Sequence, residues 1–207
     1  MKRRWSAVPL LALSVAVAWW IAVSAQRSGG SAPAPTGQPP LAHITASDAK
    51  VLAEFKAKVD AYDALRKDLA KKTPPLKKTD DPAEITRAEK ALAQQIKAAR
   101  ASAKPGDIFT PATQRVFKRL LNPTLKGDEG AENTIVLKED RPPASKIPFE
   151  VNGDYPKDQP LSTVPPDLLR ALPQLPEAVQ YRFAGRHLLL YCTRGNLIVD
   201  YMLNAIP

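Results

Sequence analysis

Residues 181–202 read YRFAGRHLLLYCTRGNLIVDYM, three apolar runs separated by two short segments that favour turns. Gly185-Arg186 fits a two-residue hairpin turn with glycine in the first position. This turn places Phe183 opposite Leu188 in an antiparallel pair of strands. The sequence therefore predicts that the chain ends in a β-meander.

The second turn, residues 193–196, fits a four-residue loop that contains a glycine. It places Cys192 opposite Leu197 and Leu190 opposite Val199. Because a slip of one residue would exchange the two faces of a strand, two turns that assign the same faces support each other.

The two registers predict which side chains share a face of the sheet. The face predicted to form the core carries Tyr181, Phe183, Leu188, Leu190, Cys192, Leu197, Val199 and Tyr201. The opposite face carries Arg182, His187, Leu189, Tyr191, Ile198, Asp200 and Met202. Because this second face mixes polar and apolar side chains, we expect it to be partly solvated or to meet a partner.

Upstream, a long amphipathic helix is predicted from Thr45, which with Asp48 fits a capping box. Its apolar stripe, spaced by three and four residues, is Val51, Leu52, Phe55, Val59, Tyr62, Leu65 and Leu69. Thr73-Pro74-Pro75 ends it, after about 28 residues, or about 42 Å at 1.5 Å per residue.

Two further helices have clear start signals. Asp81 followed by Pro82 begins the second, and Thr110-Pro111 begins the third, shorter one. The second has the stripe Ile85, Ala88, Leu92, Ile96, Ala99 and Ala103. Two long amphipathic helices joined by a short loop with prolines favour an antiparallel hairpin.

The predicted fold is therefore α+β: an antiparallel helix hairpin and a third short helix over 45–127, then a small antiparallel β-meander module over 148–207. Between them, 128–147 is predicted to be a linker, and residues 124–147 a loop of low order, because they contain Gly127, Gly130, Pro142 and Pro143. An edge strand is expected at 147–151 and a short helix at 168–172.

The first 25 residues are typical of a signal peptide: a basic start, an apolar run over 8–23, and small residues that favour cleavage between Ala25 and Gln26. The alternative is an uncleaved inner-membrane anchor formed by 8–23, although a spanning helix needs about 20 apolar residues. Residues 26–44 are rich in Pro, Gly, Ser and Ala, a composition typical of a flexible tether. We expect a periplasmic or secreted protein.

The net charge of +9 is unevenly distributed. Residues 46–104 carry more Lys and Arg than Asp and Glu, whereas residues 128–207 show the reverse. Export argues against a nucleic-acid partner and favours an envelope protein or an anionic envelope surface. A candidate anion-binding cluster lies at the end of the first helix and in the loop after it: Arg66, Lys67, Lys71, Lys72, Lys77 and Lys78. The alternative is that these residues complement the helix dipole and aid solubility.

No catalytic or metal-binding constellation is predicted, and no cofactor. Cys192, the single cysteine, excludes an internal disulfide and is expected to be a small buried apolar residue. His187 and Asp200 could meet diagonally on the mixed face, which would supply two members of a hydrolase triad, or only a surface ion pair. His43 stands alone, so no metal site of the usual spacing is predicted.

The run Leu172-Pro173-Gln174-Leu175-Pro176, with Tyr181 to Gly185, Leu188 to Tyr191 and Leu197 to Asp200, resembles the C-terminal module of the nickel/cobalt-homeostasis family of periplasmic proteins. The whole chain resembles exported proteins of Gram-negative bacteria. The resemblance implies a periplasmic location and a small sheet.

The sequence thus leaves three hypotheses. The first is a non-enzymatic envelope protein that binds a protein or a surface through the helix hairpin or the mixed sheet face, with the membrane as partner only if the leader is uncleaved. The second is a hydrolase that uses His187 and Asp200. The third is periplasmic metal handling.

Overall fold

The computed structural model describes residues 44–73 and 81–207. The predicted leader, nearly all of the predicted tether, and residues 74–80 lie outside these ranges. The described chain is α+β: helices come first, and a three-stranded antiparallel sheet follows. Its helices are α1 (Ala46–Ala70), α2 (Pro82–Ala99), α3 (Pro111–Leu121), α4 (Gly127–Asp140) and α5 (Pro166–Ala171).

The first three helices begin where the sequence predicts. Thr45 and Asp48 form a complete capping box, in which the Thr45 Oγ1 accepts the Asp48 N–H at 3.1 Å and the carboxylate accepts the Thr45 N–H at 3.0 Å. The Asp81 carboxylate accepts the Ala83 N–H at 2.9 Å. Thr110 caps α3. These caps satisfy N–H groups that the first helical turn leaves without partners.

The helix hairpin is confirmed by contacts along its length. Ala70, in the last turn of α1, and Ile85, in the first turn of α2, line one groove. At the other end, the Arg100 guanidinium lies 4.9 Å from the centre of the Tyr62 ring. Lys58 Nζ donates to the Asp107 carbonyl at 2.6 Å. The chain after α1 therefore runs back along α1, and the apolar stripes of the two helices face each other.

Residues 124–147 are not the predicted loop, because α4 occupies most of them. Gly127 has a positive φ of 74° at the first position of the helix. Gly130 lies so close to Leu125 that a Cβ would be 2.3 Å from its carbonyl carbon. The Asn133 side chain donates to the Thr124 carbonyl at 2.9 Å, and Leu137 is buried. The two glycines that indicated a loop instead permit a sharp turn at the start of α4 and a close contact between this helix and Leu125.

The sheet consists of β1 (Val179–Ala184), β2 (His187–Cys192) and β3 (Leu197–Met202), in the order β1-β2-β3. The predicted pairs Phe183–Leu188 and Cys192–Leu197 are confirmed. Gly185 has a φ of 54° in the first hairpin turn. α5 begins two residues before the predicted helix and ends one residue before its end.

The predicted pairing of Leu190 with Val199 is wrong. Leu190 pairs with Asp200 and Tyr191 pairs with Ile198, so Val199 is the extra residue of a β-bulge. Beyond the bulge the two faces are exchanged. Asp200 and Met202 therefore lie on the helix side, and Tyr201 lies on the other side.

The helices and the sheet share one hydrophobic core. Its largest fully buried side chains include Phe55 of α1, Phe117 of α3 and Phe183 of β1. The two predicted regions, 45–127 and 148–207, thus contribute to the same cluster.

A second, smaller cluster covers the opposite face of the sheet. Its buried members are Ile147, Tyr155, Ala184, Leu189, Tyr191 and Ile198. The expectation that this face is partly solvated is therefore wrong for Leu189, Tyr191 and Ile198. The segment 147–155 covers this face of the sheet, because its side chains of Ile147, Phe149 and Tyr155 pack onto the strands.

The predicted edge strand at 147–151 is also wrong, because these residues form no strand. The segment immediately after them pairs with β3 instead. Asn152 N–H donates to the Ile198 carbonyl at 2.7 Å, and Ile198 N–H donates to the Gly153 carbonyl at 2.8 Å. Tyr155 N–H donates to the Asn196 carbonyl at 2.9 Å. The first half of the outer edge of β3 is therefore paired with the chain itself.

Candidate interaction sites

The proposed His187–Asp200 pair is not formed. His187 lies on the face of the smaller cluster, where its ring centroid is 4.9 Å from that of Phe149. Its Nδ1 accepts the Asn204 N–H at 2.9 Å. Burial, and then the positive charge of Arg186, lower the pKa of His187. The bulge sends Asp200 to the other face, so no catalytic dyad of these two residues exists in the described chain.

Asp200 is a buried carboxylate that organises a loop. Its Oδ2 accepts the N–H groups of Ile108 and Phe109, both at 2.8 Å, and its Oδ1 accepts that of Gly106 at 3.0 Å. Hydrogen bonds from several backbone N–H groups are a usual way to hold an ionised carboxylate in a protein interior. This arrangement links β3 to the start of α3, and its role is structural.

Cys192 is fully buried in the main core, as predicted. It lies beside Tyr62, whose hydroxyl has no hydrogen-bond partner among the described residues. Burial raises the pKa of the Tyr62 hydroxyl strongly. Both side chains are buried, so the pair is not open to solvent. Over residues 44–73 and 81–207, no group of three or more His, Cys, Asp or Glu is placed to hold a metal ion.

The predicted basic cluster is only partly described, because Lys77 and Lys78 lie outside the described residues. Three of its members pair with aspartates of the same helix. Asp63 accepts from Arg66 and from Lys67, each at 2.8 Å, and Asp68 accepts from Lys71 at 2.9 Å. These ion pairs reduce the local positive potential that an anionic surface would meet. Binding of such a surface by this cluster stays a prediction.

A groove of about 560 Å³ lies beside this cluster, between the helix hairpin and the loops around residues 177 and 194. Its charges are balanced. Its lining contains three cations, Arg66, Lys67 and Arg194, and three carboxylates, Asp63, Glu89 and Glu177. The groove therefore offers no net charge to a ligand.

A larger groove, of about 860 Å³, follows the outer edge of β1 and is called here the β1 groove. It is lined by three segments: 161–164, the stretch from Leu169 to Leu175, and residues 179–182 of β1. Two leucines on its walls are exposed, Leu161 at 43% and Leu169 at 45%. The half-buried residue Arg182 also lines it.

The sequence placed Arg182 on the mixed face and predicted the helix that carries Leu169, but it did not bring them together. Arg182 and Leu169 line one groove because segment 161–164 lies beside β1. This segment has no periodic pattern in the sequence, and hydrogen bonds that involve side chains hold it against β1. Ser162 Oγ accepts the Phe183 N–H at 2.7 Å, and the Ser162 carbonyl accepts from Arg182 at 2.9 Å.

Comparison of the chain with protein-family models, with curated proteins and with solved structures finds no match. No helix within residues 44–73 and 81–207 has the length and apolar character that crossing a membrane requires.

Proposed function

We propose that this protein is an exported, non-catalytic interaction module that binds an extended polypeptide segment in the β1 groove. The single observation that carries the proposal is the difference between the two edges of the sheet. An unpaired strand edge is a ready template for another chain, and proteins usually cover it. Here the β3 edge pairs by backbone hydrogen bonds with residues 152–155 at Asn196 and Ile198, and the β1 edge has no such backbone segment beside Tyr181.

The partial cover of β1 can be stated bond by bond. Val179 N–H donates to the Pro176 carbonyl at 2.9 Å, and Phe183 N–H donates to Ser162 Oγ. Both N–H groups point away from β2. Along a strand, the backbone groups of every second residue point to the same side. Tyr181 lies two residues from both Val179 and Phe183, so its N–H and C=O also point away from β2. No hydrogen bond among the described residues uses these two groups of Tyr181. A bound segment can therefore add one short rung beside Tyr181 before it meets Ser162.

The apolar walls supply the rest of the affinity. A strand that adds to a sheet edge gains main-chain hydrogen bonds from the edge and specificity from the places where its side chains lodge. Leu161 and Leu169 leave apolar surface exposed at the groove, and a bound segment that covers such surface gains about 25 cal/mol per Å². The wall that contains Pro173 is stabilised by Tyr181, whose hydroxyl donates to the Pro173 carbonyl at 3.0 Å.

Export is the second part of the proposal, and the signal-peptide pattern of residues 1–25 supports it. The full chain is expressed with its own leader in a Gram-negative host and recovered by osmotic shock. We expect an N-terminus at Gln26 and no tryptophan emission, because Trp5, Trp19 and Trp20 all lie in the leader. Cytosolic protein with an intact N-terminus and tryptophan emission would contradict export.

Peptide binding is tested with a phage-displayed library of random decapeptides panned on the exported protein. Leu169→Asp places a charge on the groove wall, and Leu203→Asp is the matched control, because Leu203 is equally exposed, at 48%, and does not line the groove. We expect enriched peptides to bind Leu169→Asp at least tenfold more weakly, a loss of about 1.4 kcal/mol, and the control unchanged. No enrichment over a protein-free surface, or an equal loss in both variants, would overturn the proposal.

A further inference from the structure

Arg182 carries a positive charge that no described side chain neutralises. One terminal nitrogen donates to the Ser162 carbonyl at 2.9 Å, and the other donates to the Gln180 side chain. The Nε is buried and has no partner among the described residues. No Asp or Glu among the described side chains lies within ion-pair distance of it. Burial lowers the pKa of Arg182, because it disfavours the charged form of the guanidinium.

Two other arginines of the described chain pair with carboxylates. Arg66, which is also largely buried, pairs with Asp63 at 2.8 Å. Arg170, the other cation of the β1 groove, pairs with Asp167. A charge removed from water is stabilised by an opposite charge or it destabilises the fold. The β1 groove thus presents one uncompensated cation between apolar walls.

The alternation of β1 fixes what lies next to that cation. Gln180 and Arg182 point to one face of the sheet, whereas Val179 and Tyr181 point to the other, where Leu172 is buried. A segment added beside β1 has the same period of two. A residue that faces Arg182 is therefore flanked by two residues that face the apolar wall.

From this geometry we infer that the segment bound in the β1 groove alternates apolar, acidic, apolar, and that its acidic side chain pairs with Arg182. The inference rests on the proposed function and names the chemistry of its ligand. A phosphate or a lipid headgroup fits less well, because multivalent anions are held by several cations, and Arg170 is already paired. A carboxylate matches the planar fork of one guanidinium.

The library of the preceding experiment gives the first readout. Enriched peptides should share an Asp or Glu between two apolar residues. The best of them is then made as a fluorescein-labelled, C-terminally amidated peptide together with its Glu→Gln version, so that no terminal carboxylate competes. We expect the acidic peptide to bind about fivefold more tightly than the amide version, since opposite charges across strands contribute up to about 1 kcal/mol.

Arg182→Gln should reduce this ratio to about one, and Arg186→Gln should keep it. Arg186 is a suitable control because it is exposed, lies outside the groove and donates to the Asn204 side chain at 2.8 Å. Enriched peptides without an acidic residue, or a ratio near one on the unaltered protein, would overturn the inference and leave the proposed function standing. A library without enrichment would overturn both.

Discussion

Replacement of Asp200 tests whether this carboxylate is structural. Asp200→Ala leaves the buried N–H groups of Ile108 and Phe109 without an acceptor. Each unsatisfied buried donor costs about 1–3 kcal/mol, so we expect the free energy of unfolding to fall by about 3–5 kcal/mol. That is a large share of the 5–15 kcal/mol typical of a domain. Asp200→Asn keeps one acceptor oxygen and should lose about half as much.

The measurement is urea unfolding at pH 7, followed by far-ultraviolet circular dichroism, with a constant dependence on urea concentration as the check that only stability has changed. Hydrogen exchange should show faster exchange at the amides of Ile108 and Phe109. Asp107→Asn is the matched control, because Asp107 lies in the same loop, is exposed, and its carboxylate accepts the Lys104 N–H at 2.8 Å. We expect it to change stability by less than about 0.5 kcal/mol. If both substitutions cost the same, the structural role assigned to Asp200 is wrong.

Three further predictions concern pH, cooperativity and the thiol. Because folding favours neutral His187, its contribution to the free energy of unfolding should be complete above its unfolded pKa of about 6.5 and should decrease as the pH falls below it. Urea midpoints between pH 8 and pH 5 should show this decrease for the natural chain and a smaller one for His187→Gln. Phe117→Ala should cost about 3–5 kcal/mol, and unfolding curves from circular dichroism and tyrosine fluorescence should coincide; separate curves would contradict a shared core. Cys192 should react with Ellman's reagent only as urea unfolds the chain; rapid labelling of the folded protein would contradict its burial.

The helix starts could be predicted because they depend on neighbouring residues alone. A capping box, or an aspartate followed by proline, satisfies N–H groups within one turn, so the sequence contains all the partners. The hairpin between β1 and β2 is equally local, since two turn residues fix the register. These are the parts of the fold that the sequence predicted correctly.

The errors concern interactions between distant segments. α4 has two glycines that suggested a loop, and its stability comes from Leu137 in the core and from Asn133 bonded to Thr124. The β3 edge is paired with residues 152–155 instead of an edge strand. The β1 groove needs segment 161–164 beside β1. Neither partner of such a contact can be found from local periodicity.

The β-bulge shows how one extra residue changes the interpretation of a site. Strict alternation placed Asp200 beside His187 and suggested chemistry, whereas the extra Val199 turns the carboxylate toward the helices. A buried charge requires donors, and the loop before α3 supplies them, which holds Phe109 5.4 Å from Phe117 in ring-to-ring distance. Phe117 in turn lies 6.1 Å from Tyr181, at the β1 groove. Asp200, which the sequence suggested for catalysis, therefore connects β3 through Phe109 and Phe117 to β1, the strand whose edge is only partly covered.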